Sequence, residues 1–205
     1  MEDSFGSVFL LKRAFDITVS LLGLFLSLPI SLLIAGLILL QDGPPIFFHD
    51  TRVGRNGKIF KTMKFRSMIK DAEKLTGSVY SVQDDPRITP IGRILRETAL
   101  DELPQLVSIF TGEMSFVGPR PEKDNYVEEF KQTLPNYDKR HSIRPGLTGP
   151  AQIYLKYDSA PGEKLKYDLL YVERASFFRD LQLITKSFAI TFVAGWEKFE
   201  KNEKL

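Results

Sequence analysis

Two adjacent carboxylates, Asp101 and Glu102, stand in the run Arg96-Glu97-Thr98-Ala99-Leu100-Asp101-Glu102-Leu103-Pro104-Gln105-Leu106, the stretch of this chain best equipped for chemistry. Leu100, Leu103 and Leu106 recur at helical spacing, so the segment is expected to pack as a helix rather than hang loose. Carboxylates at the edge of a packed segment must be ion-paired, metal-bound or functional. On these residues alone a structural ion pair and a reactive pair are equally good readings.

Composition narrows the field. The chain has 205 residues and a net charge of +2, which gives no global signature of polyanion binding and argues against a nucleic-acid partner. The positive charge is instead local. From Thr51 to Lys70 come Arg52, Arg55, Lys58, Lys61, Lys64, Arg66 and Lys70 without one acidic residue. Such a block suits anionic lipid headgroups or a phosphorylated substrate, or forms a solvated hairpin face. The absence of cysteine excludes disulfides, thiolate metal sites and a cysteine nucleophile. Only His49 and His141 are available, far apart in sequence and expected on the surface or in loops, so a histidine metal cluster is excluded and a Ser-His-Asp triad has little to draw on.

The elements that must position the dyad begin with a membrane segment. Ile17 to Leu40 contains no charged residue, and about 20 such residues suffice to span a bilayer. Pro29 interrupts the run, and positive charge flanks both sides: Lys12 and Arg13 before it, the basic block after it. A helix broken at Pro29 has arms of roughly 12 residues, about 18 Å each, too short to cross the hydrocarbon core. A re-entrant helix-break-helix that leaves the membrane on its side of origin satisfies both facts; a plain single span is the alternative. Asp16 lies one turn from Lys12 and Arg13 and is expected to be neutralised there. Beyond Gly43-Pro44-Pro45, Asn56-Gly57 between Ile46-Phe47-Phe48 and Ile59 to Phe65 predicts a β-hairpin. Thr76 to Pro90 reads as a loop, and Ile91 to Leu100 as a helix leading to the dyad. Leu165 to Arg174 reads as an amphipathic helix. Phe177, Phe178, Leu181, Ile184, Phe188 and Phe192 form a stripe that is either core or membrane-facing, with Trp196 suited to the headgroup layer. The resulting class is α+β, mainly helical, with a small hairpin and amphipathic membrane-surface helices around the site. Residues 1–42 form the membrane element, 43–196 the catalytic domain and 197–205 a charged tail.

Four ordered motifs then give a resemblance: Lys64-Phe65-Arg66-Ser67-Met68, Leu100 to Leu106, Gly112 to Pro121 and Arg144-Pro145-Gly146-Leu147-Thr148-Gly149. Together they resemble the bacterial sugar transferases, and more narrowly the small monotopic phosphoglycosyl transferases, from Lys12 to about Leu181. Relatives often carry Ser-Pro at the hairpin break, where this chain has Leu28-Pro29, and an aromatic or bulky apolar residue where it has Pro150.

The resemblance implies transfer of a sugar 1-phosphate from a UDP-sugar to polyprenyl phosphate, on the cytoplasmic face of the bacterial inner membrane, as the first membrane step of glycoconjugate assembly. It makes Asp101 the nucleophile and Glu102 a ligand of Mg²⁺. Arg96 and Arg120 match family arginines, and Asp168 matches a family aspartate that would lie near the metal, unless it pairs with Lys164 or Arg174. Lys64, Arg66 and Arg144 complete the candidate substrate-binding set. Forked arginines suit phosphate oxygens, an ionised carboxylate attacks without a general base, and Mg²⁺ offsets the diphosphate charge. Gly118-Pro119 and Pro145-Gly146 are expected to be rigid turns that place Arg120 and Arg144. The identity of the sugar and the oligomeric state, a homodimer included, are left open by the sequence.

Overall fold

The computed structural model describes residues 2–72, 85–156 and 158–191. Much of the loop expected between Thr76 and Pro90, together with Tyr157, Phe192, Trp196 and the 197–205 tail, lies outside them. Helix α1, Glu2–Asp42, stays helical through Pro29, where a break was expected. It ends where Gly43 takes φ +63°, the left-handed conformation that glycine accepts at a helix terminus, with Gly43 N donating to Leu39 O over 3.1 Å. From Leu10 to Asp42 it is long and apolar enough to cross a membrane, and few of its residues are buried. Leu21, Leu22, Phe25, Leu26, Leu28, Leu32 and Leu33 face outward, whereas Ile34 and Ile38 pack on Phe65 and Leu95.

The hairpin forms as the Asn-Gly signal requires. Strands β1 (Phe47–Val53) and β2 (Ile59–Phe65) pair antiparallel, with Val53 opposite Ile59 and Phe47 opposite Phe65. Asn56 (φ 57°) and Gly57 (φ 74°) supply the positive φ values of the turn. Helix α2, Pro90–Glu97, starts with Thr89 as N-cap, whose side chain accepts from Gly92 N, and with proline at its first position. Helix α3, Gln105–Thr111, packs on α1 through Leu106, which lies 3.1 Å from where a Cβ on Gly23 would sit.

A second, parallel strand pair takes in Gly146 of the expected Pro145-Gly146 turn, while Gly118-Pro119 form a bend just after its first strand. Strand β3, Ser115–Val117, lies beside β4, Gly146–Thr148. The glycines permit this approach: a Cβ on Gly146 would lie 2.1 Å from Gly118 N. Helix α4, Asp124–Thr133, a 3₁₀ segment Tyr137–Ser142 and a short helix α5, Pro150–Tyr154, lead to α6, Pro161–Arg174, and α7, Phe177–Ala189. The aromatic stripe of α7 divides. Leu183 joins a core of Val117, Ile143, Ile153 and Tyr171, Phe177 meets Phe15 edge-on, and Phe178 and Phe188 are exposed.

Two expectations are corrected here. The charges of Lys12 and Arg13 do act on Asp16, but its hydrogen bonds are tertiary, accepting from Ser115 Oγ and Phe116 N, each at 3.1 Å, while Lys12 bonds Asp180 and Arg13 the carbonyls of Ile109 and Phe110. His141 is buried with its ring edge-on to Tyr137, because the 3₁₀ segment turns it inward. Burial and the neighbouring Arg140 pull its pKa down to about 4, so it is neutral at physiological pH.

Candidate active site

The dyad sits on a single 3₁₀ turn, Leu100–Glu102, between α2 and α3, not on a continuous helix. Two features of the sequence cause this. Ala99 adopts φ 55°, which stops α2, and Pro104 lacks the N–H needed to carry helical bonding back through the dyad. Successive 3₁₀ residues point about 120° apart, so the two side chains diverge more than on an α-helix. Asp101 is buried, and Glu102 keeps a partly open edge.

Cations from three elements converge on this turn. Lys64 on β2 pairs with Glu102 Oε1. Arg120, in the loop after β3, donates from Nη2 to the same oxygen over 3.0 Å. Arg96, on the last turn of α2, donates from Nε to Ser67 Oγ over 2.9 Å, and its charge acts on Asp101 together with those of Lys64 and Arg120. The two carboxylates respond in opposite directions. Burial, reinforced by the charge of Glu102, raises Asp101 to about 6 despite the three cations. Burial also works against ionisation of Glu102, but Lys64 and Arg120 outweigh it and hold that group down at about 2. Glu102 is therefore the fixed anion of the pair, and Asp101 is the one that titrates near physiological pH.

Five of the eight candidate residues thus gather: Asp101, Glu102, Lys64, Arg96 and Arg120. The other three are engaged elsewhere. Arg66 clasps the end of α1, donating to the carbonyls of Asp42 (3.2 Å) and Gly43 (2.7 Å). Arg144 Nε donates to Gly112 O over 2.8 Å, and the charges acting on it are those of Arg13, Arg55 and Asp16 rather than the dyad. Asp168 is held by Arg140, whose Nε and Nη2 reach Asp168 Oδ2 at 3.0 and 2.8 Å, with the charge of Lys164 acting on it as well.

Arg140 is the residue that sequence reasoning missed. It is buried, its Nη1 meets Tyr137 Oη at 3.1 Å, and its Nη2 also donates to Arg120 O over 2.8 Å. The Asp168–Arg140 pair therefore fixes the backbone of Arg120 from behind while the Arg120 side chain faces Glu102. Nothing local in the polar run Asn136 to Ile143 announces this role, since the Arg120 carbonyl and Asp168 lie 20 and 28 residues from Arg140. A second buried network ties β3 to α1: Lys12 Nζ donates to Val117 O at 2.9 Å and pairs with Asp180 at 2.5 Å, and Tyr171 Oη donates to Asp180 at 2.5 Å.

Among the described residues no three His, Asp or Glu side chains converge to hold a metal. The carboxylates at the turn are Asp101 and Glu102, and Glu102 Oε1 is already held by Lys64 and Arg120, so a hard cation would take that oxygen only in competition with them.

Comparison with known proteins places the same stretch in context. The family model for bacterial sugar transferases matches residues 7–194. The chain is 36% identical over 190 residues to the exopolysaccharide production protein ExoY of Sinorhizobium fredii, covering 86% of this chain and 83% of that protein. It is 39% identical over 181 residues to the UDP-glucose:undecaprenyl-phosphate glucose-1-phosphate transferase of Escherichia coli, covering 85% of this chain but 39% of that one. A putative undecaprenyl-phosphate N-acetylgalactosaminyl 1-phosphate transferase of Bacillus subtilis is 40% identical over 149 residues, 73% of this chain and 79% of its own. The match thus spans most of the shorter relatives and less than half of the longer ones.

Proposed function

Because this chain belongs to the bacterial sugar transferase family, we propose that it moves a sugar 1-phosphate from a UDP-sugar to undecaprenyl or another polyprenyl phosphate, releasing UMP. The observation that carries the reading is the pairing of a buried carboxylate, raised toward neutrality, with a neighbour held ionised by Lys64 and Arg120. An Asp101 oxygen attacks the β-phosphorus, the bond from that phosphorus to the bridging oxygen breaks, and UMP leaves with that oxygen. The polyprenyl phosphate oxygen then attacks the aspartyl-phosphosugar, giving the polyprenyl-diphosphate sugar and returning Asp101 to its ionised form. Both attacking groups are anions, so no general base is required.

Lys64, Arg96 and Arg120 supply positive charge to the phosphate oxygens, the two arginines in forked geometry. Glu102 would hold Mg²⁺, which supplies neutralisation of the diphosphate charge when bound. Asp168 and Arg140 take no part in the chemistry; they keep Arg120 in place.

The membrane element fits a site at headgroup depth. The early part of α1 docks through Lys12, Arg13 and Asp16, and its late part through Ile34, Ile38 and Gln41, onto the same body. The most exposed apolar side chains of that interval, among them Phe25, Leu26 and Leu32, lie between these contacts. A re-entrant path with both ends on the cytoplasmic side of the inner membrane accommodates this arrangement and brings the dyad to the lipid phosphate. Cysteines at Ser7 and Lys58 test it with a membrane-impermeant thiol reagent: labelling from one face only is expected, and labelling from opposite faces would defeat the path.

The catalytic reading is tested by UMP release from a panel of UDP-sugars with undecaprenyl phosphate. Release is expected for at least one donor, to fall as pH drops through about 6 because Asp101 is then protonated, and to vanish in Asp101→Asn. Undiminished turnover in that variant would sink the mechanism. Donor consumption that continues unchanged without polyprenyl phosphate would mark a hydrolase instead.

A further inference from the structure

Three arginines from three separate elements meet away from the dyad: Arg13 on α1, Arg55 in the β1–β2 turn and Arg144 just before β4. Each is anchored along one edge by main-chain carbonyls. Arg13 donates to Ile109 O and Phe110 O, both at 2.7 Å, Arg144 Nε to Gly112 O at 2.8 Å and Arg55 Nε to Ser142 O at 3.2 Å. Two of these anchors sit at the C-terminal end of α3, where cations are favoured, so a structural role accounts for the bonded edges. It does not account for bringing three guanidinium groups together. Burial, Arg13 and Arg55 all pull Arg144 below its ordinary pKa, with only Asp16 opposing them. Asp16 itself faces Ser115 and Phe116, and the nearby Asp180 is taken by Lys12 and Tyr171. Among the described residues none of the three arginines forms an ion pair with a carboxylate, and Arg55 and Arg144 line a small pocket together with Lys12, Ser176 and the already engaged Asp180.

The surroundings identify the anion. Leu10 and Leu11 precede Arg13 and are exposed at 74% and 52%, and Phe110, whose carbonyl Arg13 grips, is exposed at 40%. Uncompensated guanidinium groups beside exposed apolar side chains describe the depth of a phospholipid headgroup.

We propose that Arg13, Arg55 and Arg144 form a second anion site, which takes the phosphate of an anionic membrane lipid where α1 meets the membrane surface. The site rests on the membrane reading of α1 and is independent of the dyad, with whose charges it shares no member. It holds the α3 terminus and the β4 edge to the bilayer, and so fixes the height of the catalytic turn that precedes α3.

Native mass spectrometry of the full chain in detergent, supplied with equal phosphatidylglycerol and phosphatidylcholine, tests it. The protein is expected to retain phosphatidylglycerol selectively. Arg55→Gln, exposed and therefore tolerant, should lower that selectivity about fivefold, Arg144→Gln similarly, and Arg55→Lys much less. Asp101→Asn should retain lipid like the parent chain, which separates failure of this site from failure of the catalytic reading. Unchanged selectivity in both glutamine variants would overturn the proposal. So would inorganic phosphate or UMP binding that Arg55→Gln abolishes while the lipid preference persists, since the site would then serve a soluble phosphate.

Discussion

Arg120 joins two regions built from the same residue types and put to different uses. In front, its guanidinium shares Glu102 with Lys64, and side-chain exposures there run from 18% for Glu102 to 35% for Arg120. Behind, its carbonyl is held by Arg140, which is paired with Asp168 at exposures of 5% and 2%. The front cluster keeps open edges and excess positive charge, as the proposed diphosphate donor requires. The rear pair is sealed and directional, and its Arg140 nitrogens are committed to Asp168, Tyr137 and the Arg120 backbone. The difference teaches that an arginine–carboxylate pair is defined less by its members than by the solvent left around it. Half-exposed, it is a receptor; sealed, it is a fastener.

The comparison breaks most visibly at the rear. Arg140→Met leaves Asp168 buried without its counter-charge, and such a change typically costs about 3–5 kcal/mol. A loss of that size is expected in urea unfolding of the variant. Arg140→Met with Asp168→Leu removes both charges and should recover most of the stability, because well-packed apolar replacements of a buried pair are often tolerated. The recovered protein should still bind the donor poorly, since the bond from Arg140 to Arg120 O is gone. A double variant with normal donor KM would show that Arg120 needs no support from behind.

How much of this was legible follows the range of the interactions. The apolar run of α1 is a local property, and so is the hairpin, because Asn56-Gly57 supplies its own positive φ values. Strands β3 and β4 are not legible, being three residues each, too short to show alternation. Gly118-Pro119 and Pro145-Gly146 read as turns, yet these glycines exist for the close approach of one strand to the other, a tertiary fact. The dyad was visible as chemistry, but its helix was misjudged because the left-handed Ala99 carries no glycine to mark it. Lys64 and Arg120 come from segments far from the dyad, and only the resemblance brought them to it in advance, whereas Arg96 stands five residues before Asp101. Arg66, Arg144 and Asp168 were placed in the site on type and motif alone; each is claimed by a partner distant in sequence.

The smaller effect sharpens the front half of the comparison. A carboxylate whose pKa is raised on folding, as for Asp101 from an ordinary 3.8 to about 6, is more easily kept protonated in the native state than in the unfolded chain. Its stabilising contribution is complete below the unfolded pKa and is lost as pH rises through about 6, so at pH 8 the native protein bears the full cost of an ionised, buried Asp101. Asp101→Asn removes that cost. In magnesium-free buffer the variant should be more stable than the parent by about 3 kcal/mol at pH 8, with the gap closing between pH 6 and 4. Glu102 is depressed, so its contribution is present above 4.5 and is lost as pH falls from there through about 2, below most of that window. Thermal melts across pH measure the gap directly. A variant that is inactive yet more stable at high pH would mark Asp101 as a residue kept for reactivity at the expense of stability. Equal or lower melting temperatures at pH 8 would instead make it one more fastener, like Asp168.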